Sequence, residues 1–239
     1  MKSFSITDIG KERTVNQDYI YCEDKSIGNL PNLFIVADGM GGHNAGDFAS
    51  RYCVDTITSH IIKCKRKTPI GILEEAIKTA NEKLLLKAEE QKELDGMGTT
   101  LVVATIFNDT MYIANIGDSR LYIIDDDIKQ ITEDHSLVEE MIKTGELPRK
   151  EARFHPNKNV ITRALGSGKS VSPDYFEVSL KSGDTVLMCS DGLSNMIDDE
   201  EIKTIVKEYG EIKLVGRKLI EKANEYGGKD NIAIILIRK

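Results

Sequence analysis

Short apolar segments with the composition of β-strands recur along the sequence, and they restrict its possible folds more than any other feature. Each has five to eight residues and is rich in β-branched or aromatic side chains. Strands are predicted at 18–23, 33–37, 100–107, 111–116, 121–125, 175–180, 185–189 and 232–237. Residues 108–109 predict a hairpin turn, and 117–120 a second tight turn. Strands joined by such short turns must be antiparallel, because parallel neighbours need a longer crossover.

Amphipathic helices separate the early strands from the late ones. From Ala45 the apolar residues recur every three or four positions, and Pro69 opens a second helix with the same spacing. Later helices are predicted at 199–209, between Asp198 and Gly210, and at 211–225. Helices in layers outside antiparallel sheets define an α+β fold. Because no repeat or flexible linker interrupts the chain, we expect a single domain over residues 1–239.

The composition excludes several classes of protein. The 239 residues include 39 acidic and 32 basic side chains, a balance that argues against a nucleic-acid binder. The basic residues at 63–67 are expected to be a solvated helix end. No apolar stretch approaches the roughly 18–20 residues of a membrane span, and residues 1–5 lack the apolar core of a signal peptide. Four cysteines without a Cys-x-x-Cys pair predict reduced, mostly buried thiols and a cytoplasmic location.

Five aspartates stand at the ends of predicted strands. They are Asp18, Asp38, Asp118, Asp191 and Asp230, and two of them, Asp38 and Asp191, are followed by glycine. Each alone is ordinary turn chemistry. Five together indicate a site, because strand ends hold side chains rigidly while the adjoining loops leave access.

If these carboxylates converge, their mutual repulsion requires cations. Oxygen ligands select Mg²⁺ or Mn²⁺ rather than zinc. A carboxylate that bridges two ions about 3.5–4 Å apart would generate hydroxide from water, which suits hydrolysis of a phosphate ester. Gly39 has no Cβ, so its carbonyl oxygen could closely approach an ion.

Eight short motifs follow one another along nearly the whole chain. They are Arg13-x-x-Asn16-Gln17-Asp18, Val36-Ala37-Asp38-Gly39-Met40-Gly41-Gly42-His43, Gly98-Thr99-Thr100, Asn115-x-Gly117-Asp118-Ser119-Arg120, Asp134-His135-Ser136, Arg163-Ala164-Leu165-Gly166, Ser190-Asp191-Gly192-Leu193 and Asp230-Asn231. In this order they resemble the metal-dependent serine/threonine protein phosphatases of type 2C, in their compact bacterial form. Each motif alone is weak, and the ordered set is specific.

The resemblance implies a four-layer α-β-β-α sandwich of two antiparallel sheets. It also implies that a metal-activated water at a binuclear Mn²⁺ or Mg²⁺ centre hydrolyses phosphoserine and phosphothreonine in proteins. The implied substrates are phosphorylated proteins, with a Ser/Thr kinase as the opposing enzyme and with the phosphatase as a monomer. Residues 137–160 would form a mobile flap beside the active site.

The same resemblance implies a role for each site residue. Asp38 would bridge the two core ions, and the Gly39 carbonyl would contact one of them. Asp191 and Asp230 would hold the other ion, and Asp18 would act through a water. Asp118 would help to bind a third, weaker ion. Arg13 would clamp the substrate phosphate, which suits its fork of donors.

Two positions depart from the eukaryotic members of this family. Gln17 stands where those relatives have a glutamate ligand, and Met40 stands where they have a histidine that could protonate the leaving group. His43, three residues later, is expected to be a loop residue or a residue that contacts the metal ligands without binding a metal. Metal-bound water could supply that proton, but the sequence does not identify the general acid.

Other motifs lack a required residue. Residues 166–170 resemble the end of a phosphate-binding loop, but Arg163 stands where its first glycine is needed. Residues 125–127 lack the rest of a calcium loop, the histidines lack common zinc spacings, and no Gly-x-Ser-x-Gly or Cys-x5-Arg motif is present.

Two alternatives to an active phosphatase remain. One is an inactive relative that binds phosphoproteins, which the presence of every metal aspartate disfavours. The other is a regulatory module that acts through protein association, for which 239 residues would leave no room for a sensor domain. Turnover of p-nitrophenyl phosphate with and without Mn²⁺ distinguishes both from an enzyme.

Overall fold

Two antiparallel β-sheets form the centre of the molecule, which a computed structural model describes at residues 1–42 and 45–239. The strands are β1 (Lys2–Asp8), β2 (Asp18–Glu23), β3 (Leu33–Met40), β4 (Gly98–Thr99), β5 (Leu101–Phe107), β6 (Thr110–Ile116), β7 (Arg120–Ile124), β8 (Ile128–Gln130), β9 (Asp174–Ser179), β10 (Thr185–Cys189) and β11 (Ile232–Arg238). The helices are α1 (Ala45–Lys63), α2 (Pro69–Glu90), α3 (Leu137–Lys143), α4 (Arg149–Ala152), α5 (Asp191–Ser194), α6 (Asp199–Tyr209) and α7 (Ile212–Glu225). A 3₁₀ turn spans Lys92–Leu94.

The order of the strands places chain segments that are far apart in sequence side by side. One sheet has the order β1-β11-β10-β7-β8. The other has the order β2-β3-β5-β6-β9, and β4 pairs with β3. In the first sheet β11 lies between β1 and β10, so the last strand of the chain is a central strand.

Alternating side chains of the strands separate the molecule into four layers. On β11, Ile232, Ile234 and Leu236 pack with helices α5, α6 and α7, whereas Ala233, Ile235 and Ile237 face the other sheet. The second sheet alternates in the same way: apolar residues at 33, 35 and 37 pack with α1 and α2, and those at 34 and 36 face the first sheet. Strands buried on both faces require such nearly continuous apolar runs. The predicted α-β-β-α sandwich is confirmed.

All eight predicted strands and all four predicted helices are present. The turn at Asn108-Asp109 is also confirmed, because Phe107 pairs with Thr110 and Asn108 has a φ of 56°. Asp198 accepts a hydrogen bond from the Glu201 amide at the start of α6, which ends before Gly210, as predicted. No helix in the described residues is long and apolar enough to cross a lipid bilayer.

The segment that joins β6 to β7 corrects one prediction. The tight turn predicted at 117–120 was expected to join neighbouring antiparallel strands, but β6 and β7 lie in different sheets. The reason is that His135 occupies both backbone groups of Gly117: its amide donates to the Gly117 carbonyl at 2.9 Å, and its Nδ1 accepts from the Gly117 amide at 3.1 Å. With φ at 101°, Gly117 redirects the chain into the other sheet.

Candidate active site

The strand-end aspartates converge where the two sheets meet. A cleft of about 290 Å³ is lined by six of the seven predicted site residues: Arg13, Asp38, Gly39, Asp118, Asp191 and Asp230. The seventh, Asp18, is 5% exposed and pairs in register with Asp38 on the neighbouring strand. The sheet of β2 and β3 contributes Asp18 and Asp38, and the other sheet contributes Asp191 and Asp230 from the ends of β10 and β11.

Burial and mutual repulsion raise the pKa values of the carboxyl groups of Asp18, Asp38, Asp118 and Asp191. Desolvation is the largest cause throughout, and it raises the pKa of Asp18 to about 8 and that of Asp191 to about 6. The pKa of Asp38 is also well above its ordinary value, because of burial and then the charge of Asp18. Burial and the charge of Asp191 act in the same direction on the pKa of Asp118. The site therefore favours the binding of protons or cations, which neutralise several negative charges at once.

Two buried carboxylate oxygens have no hydrogen-bond partner. Oδ1 of Asp18 and Oδ1 of Asp191 are both shielded from solvent and unpaired. Their second oxygens are held, since Ser190 Oγ donates to Asp18 Oδ2 at 2.6 Å and Asn195 Nδ2 donates to Asp191 Oδ2 at 2.9 Å. Buried oxygens of this kind are rare unless a ligand satisfies them, and they are the donors that Mg²⁺ and Mn²⁺ prefer. The residues present thus fit a divalent metal centre.

Each Asp-Gly pair brings a second chain segment close to the site. A Cβ on Gly39 would lie 1.9 Å from the Gly46 carbonyl oxygen, and one on Gly192 would lie 1.9 Å from the Asn231 carbonyl oxygen. Both glycines are therefore required by packing. The role of the Gly39 carbonyl as a metal ligand stays a prediction.

Asn231 anchors the loop between β1 and β2, and sequence reasoning did not assign it this role. Its Nδ2 donates to the carbonyls of Ile9 at 2.9 Å and Val15 at 3.0 Å, and its Oδ1 accepts from the Gln17 amide at 2.8 Å. This loop carries Arg13 and leads into Asp18. The only signal in the sequence was the position of the asparagine beside Asp230.

Arg13 lies at the mouth of the cleft. Its guanidinium donates to Asp230 Oδ2 at 2.8 Å, and its side chain is 49% exposed. An exposed ion pair of this kind contributes little to stability. The side chain can therefore exchange this contact for an anion in the cleft at small cost.

The positions that depart from the eukaryotic pattern lie beside the aspartates. Met40 lines the cleft and offers no proton to a leaving group. The Gln17 carbonyl accepts hydrogen bonds from the Gly39 amide at 3.0 Å and from Ser50 Oγ at 2.6 Å, so its backbone fixes the end of β3 against α1. His43 lies outside the described residues.

The segment predicted as a flap, 137–160, borders the same cleft and contains α3 and α4. Asn159 contributes to the cleft wall. Arg149 makes two hydrogen bonds to the Glu139 carboxylate, at 2.7 and 3.1 Å, and Arg153 donates to two carbonyls after α5. A wider cleft of about 460 Å³ lies between this segment and the first sheet, and it shares Asp118 and Asp191 with the aspartate cleft.

Known proteins match this chain over nearly its whole length. Residues 10–233 match the sequence profile of the family Protein phosphatase 2C. The serine/threonine phosphatase stp of Listeria innocua is 41% identical over 98% of this chain and 94% of that protein.

Solved structures of bacterial phosphatases share the fold. The serine/threonine phosphatase Stp1 of Staphylococcus aureus superposes with a TM-score of 0.92 and 37% identity, covering 100% of this chain and 94% of that one. The catalytic domain of the phosphatase PstP, solved with two manganese ions, gives 0.86 at 30% identity, over 98% of this chain and 96% of that one.

The chain belongs to the protein phosphatase 2C family. It is a metal-dependent serine/threonine protein phosphatase with the α+β fold of that family.

Proposed function

We propose that the aspartate cleft is the catalytic centre and that it binds two Mn²⁺ or Mg²⁺ ions. Asp38 would contact both ions, the Gly39 carbonyl would contact one of them, and Asp191 and Asp230 would hold the other. Asp18 is assigned a contact through water. The observation that carries this proposal is the pair of buried, unpartnered oxygens on Asp18 and Asp191, within a set of carboxyl groups whose pKa values are raised.

Bound divalent ions would supply neutralisation of the phosphate charge and an activated water nucleophile. The other roles, binding of the substrate phosphate and orientation of the carboxylates, belong to side chains of the protein. Arg13 exchanges Asp230 for the substrate phosphate, because a guanidinium fork matches two phosphate oxygens. Ser190 holds one oxygen of Asp18, which leaves the other unpaired and fixes its direction.

The proposal extends to the cellular context of the enzyme. Its substrates would be phosphorylated proteins, and a Ser/Thr kinase would be its counterpart. We propose that residues 1–239 act as one cytoplasmic domain and as a monomer, with 137–160 as a flap beside the cleft. The common fold and size of the bacterial relatives support the single domain.

Hydrolysis of a phosphothreonine peptide tests the assignment of the centre. Activity is expected with Mn²⁺ or Mg²⁺ and is expected to stop in EDTA. Asp38→Asn should lower kcat by at least about 100-fold, because it removes the carboxylate assigned to both ions. Asp126→Asn, at a fully exposed turn, is the matched control and should retain activity. Full activity of the wild-type protein in chelator, or of Asp38→Asn with metal, would contradict the proposed centre.

A further inference from the structure

A second group of metal-ligating side chains lies on the helical layer, away from the aspartate cleft. His60 and Cys64 are four residues apart at the end of α1, and Glu75 faces them from α2. The beginning of α1 contacts the cleft through Gly46, and His60 is 14 residues further on, roughly 20 Å along the helix. We propose that His60, Cys64 and Glu75 bind a Zn²⁺ ion that joins the end of α1 to α2.

The distances between the donor atoms support this site. One ligand atom from each of the three residues lies within 4.8 Å of the other two. Around a tetrahedral zinc ion, neighbouring ligand atoms are about 3.3–3.8 Å apart. His60 Nε2 and Glu75 Oε1, 3.3 Å apart, already lie within this range. Solvent would supply the fourth ligand.

The imidazole of His60 has a ring nitrogen without a hydrogen bond. Its Nε2 is shielded from solvent and lies 3.3 Å from Glu75 Oε1, a contact that is an ion pair only when the imidazole is protonated. A buried polar atom without a partner is destabilising unless something else satisfies it. A metal ion between the nitrogen and the carboxylate would satisfy both.

The cysteine is held in place by a different part of the chain. Cys64 is 8% exposed. Asn29 Nδ2 donates to the Cys64 carbonyl at 3.0 Å and to the Arg66 carbonyl at 2.9 Å, so the backbone after α1 is fixed independently of any ion. The same loop approaches closely, since a Cβ on Gly28 would collide with the Ile61 carbonyl. A fixed thiol reduces the entropy lost when an ion binds.

Nearby positive charges influence which metal ion the site prefers. Arg66 Nε donates to Glu75 Oε2 at 3.0 Å, which leaves Oε1 for the metal, and Lys63 and Lys65 border the same hollow. This environment disfavours ions held mainly by charge. Zinc instead binds nitrogen and thiolate through largely covalent bonds, so we expect Zn²⁺ here and the hard ions Mn²⁺ or Mg²⁺ at the all-oxygen cleft.

Cobalt substitution tests the proposal, because only a cysteine ligand gives a thiolate-to-Co²⁺ charge-transfer band. The seven residues of the predicted catalytic centre include no cysteine, so this signal separates the two sites. With excess Mg²⁺ and a reductant that is not a thiol, Co²⁺ should produce the band and reach saturation at one ion per chain. Zn²⁺ should abolish the band by displacement, since it binds such ligands more tightly, and Mn²⁺ should not.

Variants assign the band to the three residues. Cys64→Ser should remove it, and His60→Gln and Glu75→Gln should weaken Co²⁺ binding by at least about 10-fold. Cys22→Ser, at a partly exposed cysteine on β2, is the matched control and should keep the band. Circular dichroism checks folding, and Glu75→Gln, at a side chain that is 42% exposed, keeps the test valid if Cys64→Ser fails to fold. Absence of the band in the wild-type protein, or its persistence in Cys64→Ser, would overturn the proposal.

Discussion

At the scale of single residues, the buried carboxylates determine how the stability of this protein responds to pH and to metal ions. A carboxyl group such as Asp18 is kept in a buried position even though desolvation disfavours its charged form. Metals bind only the deprotonated carboxylates, so the metal-free and metal-bound proteins should respond differently to pH.

Asp18 should make the metal-free protein less stable as the pH rises. Its pKa is 3.8 in an unperturbed group and about 8 in the folded chain. Between these values the unfolded chain has released the proton and the folded chain retains it, so rising pH favours unfolding. Asp18→Asn should therefore increase the free energy of unfolding in EDTA, by at least about 1 kcal/mol at pH 8 and by much less at pH 4.

Urea denaturation in EDTA at several pH values measures this difference. Asp126→Asn, at a fully exposed carboxyl, provides the baseline, because it should change the free energy of unfolding by less than about 0.5 kcal/mol. A stabilisation by Asp18→Asn that does not grow with pH would contradict the raised pKa.

Arg13→Ala should separate substrate binding from metal binding. Loss of a charge-assisted contact to phosphate predicts a fall in kcat/KM of about 10- to 100-fold. The stoichiometry of tightly bound Mn²⁺ should not change, because Arg13 only covers the rim of the cleft. Kinetics with a phosphothreonine peptide and Mn²⁺ titration measure the two quantities, with the exposed Arg217→Ala as the control. Loss of the ions in Arg13→Ala would show a structural role instead.

Residue patterns predicted the candidates for the site better than the contacts that hold them. The aspartates could be found because strand ends and Asp-Gly pairs are visible locally. The anchoring by Asn231 could not, because its partners are backbone groups more than 200 positions away in the chain. The group formed by His60, Cys64 and Glu75 was missed for a related reason: its ligands come from two helices and match no common zinc spacing.

Secondary-structure elements show the same division between local and tertiary information. Strands such as β3 and β10 were predicted because both faces are buried and the runs are apolar. By contrast, β1 alternates polar and apolar residues at the edge of its sheet, and β8 has only three residues. Short helices such as α5 were missed because one turn carries too little periodicity to detect.

Gly192, in α5, packs against the residue that precedes β11. Its substitution tests how closely these two segments pack. The turn after β10 meets the start of β11 without room for a Cβ, since the Asn231 carbonyl oxygen would lie 1.9 Å away. Gly192→Ala should lower the free energy of unfolding by about 1–3 kcal/mol and weaken metal binding, because Asp191 and Asp230 must move apart. Gly168→Ala, where the nearest atom is 3.7 Å away, should change stability by less than about 0.5 kcal/mol. Equal stabilities of the two variants in thermal unfolding would contradict this account.

At the scale of the whole molecule, the cleft exists only because two sheets meet. Each sheet contributes two of the aspartates, and the crossover from β6 to β7 contributes Asp118. That crossover is fixed without the Asp118 side chain: His135 binds both backbone groups of Gly117, and the hydroxyls of Thr100 and Ser119 share a hydrogen bond of 2.8 Å. Removal of the Asp118 carboxylate should therefore leave the packing of the sheets intact.

Asp118→Ala should distinguish a third ion from the two core ions, because it should weaken the binding of the third ion alone. An ion held by Asp118 and a shared Asp191 would have fewer protein ligands and more waters than the core ions, so it should bind more weakly. Its use would be to position water near the leaving group, where Met40 offers no proton. We expect Asp118→Ala to fold and to retain two tightly bound Mn²⁺ ions, while kcat falls by at least about 10-fold. The part of the activation curve that requires high Mn²⁺ should disappear. Calorimetric titration beside steady-state kinetics measures both effects: wild-type turnover would exclude a catalytic role for Asp118, and loss of both tight ions would place it among the core ligands.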